Sequence, residues 1–223
     1  MWSTPCISGI HFLSDLHGRA PSERWFTDPS KNVILVGDIL SDENDEDSFK
    51  WNRFLSQYHV AFIRGNHDVH DRYGWFGLYG CNGNVLRYGK TLVACLGWNG
   101  EKFADLPGTP ELLPIISSLD RQLTRMRNSD DTLILATHYP PLMVPFIREN
   151  PEMFDEFYEE RPGSIAVLEA ITNWKPNYVV MGHIHQWHGR RFTTKCGIEF
   201  ISSVVPEYHK KPDKRMFQPL KFY

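Results

Sequence analysis

The sequence contains no hydrophobic run long enough to cross a membrane. Its apolar stretches all fall well short of the roughly 18 residues that a spanning helix needs. The opening, MWSTPCISGI, has neither the basic start nor the apolar centre of a secretion signal. These two absences predict a soluble cytoplasmic protein that makes no use of a membrane.

Cysteine pairs and a strong charge of one sign are also missing. The four cysteines are widely spaced and form no CxxC pair, which excludes a zinc ribbon and a thioredoxin motif and favours reduced thiols. The net charge of −3 and the pI near 6.4 give no sign of a general nucleic-acid binder. Residues 208–223 are locally basic. We expect a solvated tail there, and nucleic-acid binding stays open.

Short apolar runs separated by polar loops are what the chain has in abundance. With 223 residues and 41% hydrophobic side chains, it suits one domain over residues 1–223. Helical stripes of apolar residues run through Trp51–Tyr58, Ile116–Met126 and Ser164–Trp174. Alternation of strands and helices predicts an α/β sheet sandwich covered by helices. The strand candidates are Ile7–Leu13, Val33–Val36, Val60–Ile63, Thr91–Leu96, Thr132–Ala136, Tyr178–Met181 and Ile198–Val205, with Arg190–Thr194 as a weaker one.

Polar clusters follow five of these candidate strands. Ligand crevices of open α/β sheets lie at the carboxyl ends of strands, so the five loops could converge on one site. Each cluster alone is weak evidence: Gly-Asp is usually a turn, and a lone histidine is usually a buried structural one. His183 and His185, two positions apart on a strand end, would point to the same side. The clusters, in order, are Asp15-Leu-His17, Gly37-Asp38, Gly65-Asn-His-Asp68, Thr137-His138 and Gly182-His-Ile-His185.

The ordered set of five resembles the calcineurin-like metallophosphoesterase family. The resemblance spans Asp15 to His185 and implies a four-layer α/β/β/α sandwich with mixed sheets, a single phosphoesterase domain over 1–223, and two metal ions at the strand ends. It also implies a ligand set. Carried over by position, the first metal would be held by Asp15, His17 and His185, the second by Asn66, His138 and His183, and Asp38 would bridge the two.

The implied activity is hydrolysis of phosphomonoesters or phosphodiesters by a metal-bridging hydroxide. Imidazole and oxygen ligands suit manganese first, with iron, zinc or nickel as alternatives. His67 would protonate the leaving oxygen, and Asp68 would support it in the catalytic set. Arg64 and Tyr139 are the candidate substrate contacts, and the substrate would be a phosphorylated small molecule, a nucleotide or another phosphoester.

The sequence departs from the protein serine/threonine phosphatases of this superfamily. That branch has an aspartate where this chain has Ser41, and an arginine soon after that is absent here. Asp42 is a hypothetical substitute for the missing carboxylate. Arg72, Arg148 and Arg161 are further arginines that could contact phosphate. Two alternatives to the enzyme remain: a non-catalytic scaffold on the same fold, and a nuclease, which rests on the basic tail alone.

Overall fold

The structure, a computed structural model, describes residues 2–39, 48–68, 79–97, 109–142 and 163–206. Several predictions fall outside these ranges. They concern Ser41 and Asp42, the arginines at 72, 148 and 161, and the basic tail 208–223.

The first sheet carries the three earliest motifs of the sequence. Its strands lie in the order β1-β2-β3-β4-β5, and β1 is antiparallel to β2 while the other pairs are parallel. Parallel neighbours end at the same edge, so the loops after β2, β3 and β4 emerge together. The strands are β1 (Cys6–Ile7), β2 (Ile10–Leu13), β3 (Asn32–Val36), β4 (His59–Ile63) and β5 (Tyr79–Gly80).

The second sheet carries the two remaining motifs. Its order is β10-β11-β9-β8-β7-β6, with a parallel centre and an antiparallel strand at each edge. The loops that follow β8 and β9 therefore also emerge together. The strands are β6 (Val85–Tyr88), β7 (Thr91–Leu96), β8 (Thr132–Thr137), β9 (Tyr178–Met181), β10 (Arg191–Thr193) and β11 (Glu199–Ser202).

Side chains alternate between two cores along each central strand. In β8, Ile134 and Ala136 face the other sheet, whereas Leu133 and Leu135 face the helices. This period of two is expected of a pleated strand that is buried on both faces. The core between the sheets draws on both, through Ile7, Ile10, Phe12, Ile34, Val36, Ala61 and Ile63 from the first and Val93, Cys95, Ile134, Ala136, Val180 and Ile201 from the second.

Helices cover the outer faces of both sheets. Helix α1 (Ser48–Gln57) packs on the first sheet, while α2 (Thr109–Met126) and α3 (Ile165–Trp174) pack on the second. The four-layer α/β/β/α sandwich with mixed sheets is thereby confirmed. Within the described ranges no helix is both long and apolar enough to cross a membrane.

Local details differ from the predicted elements. The run Ile7–Leu13 is two strands, because Ser8 and Gly9 adopt φ of 51° and 73° and turn the chain into a hairpin. Strand β6 was missed because this edge strand is only partly buried and has no continuous apolar run. Helix α2 begins before the predicted stripe. Pro114 lies within its first turns, and because proline is unusual inside a helix, the sequence did not predict a helix there.

Ile134 provides a test of the core between the sheets. Its side chain is fully buried, so Ile134→Ala should lower the free energy of unfolding by about 2–5 kcal/mol. The control is Ile165→Ala in α3, since Ile165 is 53% exposed and its loss should cost less than about 0.5 kcal/mol. Urea denaturation in the presence of a chelator gives both values without a contribution from bound metal. Equal losses would contradict this division between core and surface.

Candidate metal centre

Side chains from both sheets meet where the strands end. The first cluster joins Asp15 and His17, which follow β2, to His185 from the second sheet. His185 Nε2 lies 3.1 Å from Asp15 Oδ1 and 3.2 Å from His17 Nε2. Three potential ligand atoms from two sheets thus face one another.

The second cluster lies beside the first and is more deeply buried. It contains Asp38, His138 and His183. Asn66 completes it, since its Oδ1 lies 3.1 Å from His138 Nε2 and 3.2 Å from His183 Nδ1. His138 Nε2 is also 3.4 Å from Asp38 Oδ2.

Asp38 connects the two clusters. It belongs to the second, and it also forms a group with His17 of the first and with His67, with ligand atoms within 4.8 Å of one another. Its carboxylate is 2% exposed and accepts a hydrogen bond from the His67 backbone N–H at 2.9 Å. The two clusters are therefore parts of one site with Asp38 at its centre.

Four of the side chains come from strained backbone. Asp15, His17, Asp38 and His183 have φ between 45° and 68°, a region that residues with a Cβ seldom occupy. Such strain concentrates at functional sites, where the surrounding structure enforces it. It also explains why His183 and His185 do not behave as a strand pair. Strand β9 ends at Met181, the chain turns at His183, and the two histidines enter different clusters.

Two glycines allow the loops to approach this closely. A Cβ on Gly37 would lie 2.4 Å from His138 Nδ1, and one on Gly65 would lie 2.3 Å from Asp38 Oδ1. Both distances are far below van der Waals contact. The glycines of the Gly-Asp and Gly-Asn motifs therefore leave the space in which the second cluster packs.

The protonation of His138 is determined by a bond between the sheets. Its Nδ1 lies 2.9 Å from the carbonyl oxygen of Val36, and a carbonyl only accepts, so Nδ1 carries the proton. In the neutral ring Nε2 then presents a lone pair to the oxygens of Asn66 and Asp38. Burial alone would lower the pKa of His138, but the carboxylates of Asp38 and Asp15 raise this pKa to about 9. The pocket therefore favours a positive charge at Nε2, either a proton or a cation.

The carboxylates of Asp15 and Asp38 also favour a positive charge beside them. Burial raises the pKa of Asp15, yet the imidazoles of His185 and His138 hold it below its usual value. For Asp38, burial again raises the pKa, and His138 and His67 hold it well below the ordinary range. Asp15 Oδ1 is buried and makes no well-oriented hydrogen bond within the described part of the chain. The residues present thus fit divalent cations, with carboxylate, imidazole and amide ligands and no thiolate.

Hydrogen bonds near the first cluster tie the two sheets together, and nothing in the sequence pattern indicated them. Ser203 Oγ donates to the Met181 carbonyl at 3.0 Å and lies 3.1 Å from Ser14 Oγ. The His183 N–H donates to Asp15 Oδ2 at 3.1 Å. Ser14 and Ser203 are both fully buried. Residues outside all five motifs therefore help to place Asp15 beside the second sheet.

Asp68 holds two motif loops together. Its Oδ1 accepts from the Ile39 N–H and its Oδ2 from the Gly65 N–H, each at 2.8 Å, and the residue is 2% exposed. Both bonds are to backbone groups rather than to the His67 ring. The carboxylate thereby supports the loops that present Asp38, Asn66 and His67.

The remaining predicted residues differ in accessibility. The His67 side chain is 39% exposed, with Nε2 3.9 Å from Asp38 Oδ2 and its ring against that of His17 at 5.1 Å. Tyr139 is only 2% exposed, and its ring contacts the rings of His138 and His183, so it offers substrate almost no surface. Arg64 is partly buried, and its backbone N–H donates to Asn82 Oδ1 at 3.0 Å.

The protein is an α/β sandwich of two mixed sheets, and the histidine- and aspartate-rich centre at their strand ends could hold metal ions. The model of the calcineurin-like phosphoesterase family matches residues 9–187, and the chain belongs to that family. The resemblance drawn from the five motifs is thus confirmed.

Known proteins that are similar to this chain include one relative from a nematode and one solved bacterial structure. The UPF0046 protein K07C11.7 of Caenorhabditis elegans is 25% identical over 203 residues, which cover 82% of this chain. The match covers 63% of that relative's length. Among solved structures, the phosphopantetheinyl hydrolase of Mycobacterium tuberculosis has a TM-score of 0.59 at 14% identity, covering 92% of this chain and 91% of that one. This second likeness shows a shared fold.

Ser203 provides a test of the bonds between the sheets. Ser203→Ala removes the hydroxyl that joins Met181 to Ser14, so binding of Mn²⁺ should weaken by about tenfold, as is typical when the support of a ligand is lost. Calorimetric titration of the metal-free protein gives the dissociation constant.

The neighbouring residue provides the matched control. Ser202 is also buried, but its hydroxyl makes no hydrogen bond among the described residues, so Ser202→Ala should leave Mn²⁺ affinity unchanged. An equal loss in both variants would show that any cavity at this position loosens the site, and that the hydrogen bonds are not the cause.

Proposed function

We propose that this protein is a dinuclear metal-dependent phosphoesterase that hydrolyses phosphomonoester or phosphodiester bonds. The observation that carries the proposal is the pair of ligand clusters that share Asp38 between them. Family membership supports hydrolysis of a phosphoester, and the site supports the dinuclear mechanism.

The clusters divide the ligands between two ions. Asp15, His17 and His185 would hold the first ion, and Asp38 would contact both. Burial lowers the pKa of His17, which keeps this imidazole neutral, as a ligand must be. We propose manganese as the first choice, with iron, zinc or nickel as alternatives, since imidazole and oxygen ligands suit all four. The second ion would be held by Asn66, His138 and His183.

Two bound ions would lower the pKa of a water molecule towards neutrality and so supply hydroxide for attack on phosphorus. They would also stabilise negative charge on the phosphoryl oxygens. His67 donates a proton to the leaving oxygen. Its side chain is 39% exposed, compared with 31% for His185, and it lies beside Asp38 and His17. Histidine is the side chain that most often acts as a general acid. Asp68 supports this step by holding the loop that carries His67.

The proposed substrate is a phosphorylated small molecule, a nucleotide or another phosphoester. We propose that residues 1–223 work as one phosphoesterase domain, since the described segment beyond the family match contributes Ser203 to the support of the site. Cytoplasmic location stays a prediction. This prediction agrees with the state of the four cysteines, all of which are free thiols rather than disulfides.

The rival function is a scaffold on the same fold. A scaffold needs neither a complete ligand set nor an accessible acid, whereas here the seven proposed ligands and an exposed His67 occur together. The nuclease alternative depends on the basic tail, which lies outside the described residues. Binding to nucleic acid that weakens steeply with salt would favour it.

Asp38 provides the decisive test of catalysis. With Mn²⁺ added, the purified protein should hydrolyse an aryl phosphate or phosphodiester, and Asp38→Asn should reduce the rate at least about a thousandfold, because several kcal/mol of transition-state stabilisation are lost. The assay panel should contrast monoesters, diesters, cyclic nucleotides and phosphopeptides. It should include a phosphopantetheinyl ester, because the M. tuberculosis protein is a phosphopantetheinyl hydrolase by name.

Asp130→Asn is the control for that change. Asp130 is an exposed carboxylate that pairs with Lys90 on the surface, so its loss should leave the rate unchanged. Metal analysis of the wild type should find two ions per chain. Fewer than one bound ion, together with no activity on any ester, would instead establish the scaffold.

His67 provides a test of the proposed acid. His67→Ala should cut turnover by about 10²–10⁴-fold while metal content stays at the wild-type level. The loss should be smaller for an aryl ester than for an alkyl ester, because a good leaving group needs less help from an acid.

A second histidine serves as the comparison. His59 is exposed at the start of β4, away from the strand ends that carry the site, and His59→Ala should change neither turnover nor metal content. Loss of metal in His67→Ala would identify His67 as a ligand instead, as its group with His17 and Asp38 permits.

A further inference from the structure

A second kind of cluster lies towards the other end of the first sheet. Cys6 and His11 are direct partners across the β1–β2 hairpin, and Asp28 precedes β3 on the neighbouring loop. One sulfur, one ring nitrogen and one carboxylate oxygen from these three residues lie within 4.8 Å of one another. Since Asp28 comes before β3 and Asp38 comes after it, this cluster is separate from the proposed catalytic centre.

The backbone around the cluster is firmly held. Ser30 Oγ donates to the Gly9 carbonyl at the turn of the hairpin, and Asn32 Nδ2 approaches the same oxygen at 3.5 Å. The Ser30 N–H donates to Asp28 Oδ1 at 2.8 Å. The hairpin that carries Cys6 and the loop that carries Asp28 are therefore joined before any ligand binds. Such preorganisation reduces the entropy lost on binding.

The ring of His11 is held in place by contacts at both of its nitrogens. The residue is fully buried, its ring packs edge-on against Phe26, and Nδ1 lies 2.7 Å from Thr4 Oγ1. A carbonyl only accepts, so the Nε2 N–H donates to the Asp28 carbonyl oxygen, at a long 3.3 Å, and Nδ1 accepts from the Thr4 hydroxyl. A cation at Nε2 would replace this long bond. The ring proton would then move to Nδ1, which could donate to Thr4 Oγ1 as the second nitrogen of a metal-bound histidine usually does.

The environment of Cys6 suits a cation bound between sulfur and carboxylate. Its sulfur lies within 4.8 Å of a carboxylate oxygen of Asp28 and of a ring nitrogen of His11. A divalent cation at this point would replace the thiol proton and stabilise the thiolate and the carboxylate at once.

We propose that Cys6, His11 and Asp28 form a third cation site, selective for Zn²⁺ and independent of the catalytic centre. Sulfur, nitrogen and oxygen ligands together match zinc, and three protein ligands leave one position for water in a tetrahedral site. Binding releases the thiol proton to solvent, and no electron is transferred. Zinc bound there would clamp the β1–β2 hairpin to the loop before β3.

Cobalt spectroscopy tests the proposal on the full chain. Co²⁺ bound to a thiolate gives a near-ultraviolet charge-transfer band, whereas the proposed catalytic ligands contain no sulfur. We expect this band when metal-free wild-type protein is titrated with Co²⁺, and its displacement by Zn²⁺. Cys6→Ser should abolish the band while hydrolysis stays unchanged, so failure here is distinguishable from failure of the proposed function.

Cys196→Ser is the matched control. Cys196 is also exposed, but its thiol neighbours the Thr194 hydroxyl instead of an imidazole and a carboxylate, so this variant should keep the band. Cys81 and Cys95 are fully buried between or beside the sheets, where Co²⁺ has no access. Absence of the band in the wild type, or its persistence in Cys6→Ser, would overturn the proposal.

Zinc stoichiometry gives a second readout. Equilibrium dialysis should find one more Zn²⁺ per chain in the wild type than in Cys6→Ser. Asp28→Asn should weaken this extra site at least about tenfold, because it removes a charged ligand at an exposed position and leaves buried His11 in place. Equal zinc content in all three proteins would also overturn the proposal.

Discussion

The site depends on one hydrogen bond, from the His138 ring to the Val36 carbonyl. Val36 ends a strand of the first sheet, and His138 follows a strand of the second, so this buried bond joins the edges from which all the candidate ligands arise. It also determines which nitrogen of His138 faces Asp38. Because the ring must lie against the backbone at Gly37, the bond is possible only with glycine there.

The candidate metal centre lowers the stability of the fold. Two buried carboxylates lie near each other, and Asp15, His17, Asp38 and His183 occupy backbone conformations that cost on the order of 1–3 kcal/mol each. The apolar layers offset this cost, since three separate cores of buried side chains surround the strands. Cations would relieve the electrostatic part by neutralising the carboxylates. Binding of cations would thus stabilise the protein.

The first sheet also separates two kinds of ligand chemistry. The clusters that follow its strands use imidazole and oxygen, which suit ions that activate water. The Cys6 cluster at its hairpin adds a thiol. Because sulfur favours softer ions, the two regions would select different metals from the same mixture. A single α/β sandwich could therefore hold a reactive centre and a structural clamp at separate places on one sheet.

Much of the fold and the site could be predicted from the sequence. Short apolar runs indicated the strands, and the Gly-Asp, Gly-Asn-His-Asp and Gly-His-Ile-His motifs indicated which loops matter, because glycine and metal-ligand side chains are recognisable one by one. The sequence could not divide Ile7–Leu13 into a hairpin or bring Ser203 to Ser14. It assigned His183 and His185 to different metals only through the family resemblance, since their spacing alone placed them on one side of a strand. Those outcomes depend on φ angles and on contacts between sheets, which have no local pattern. Residue types and their order determined the candidate ligands; only the packing of one sheet against the other decided which atoms face one another.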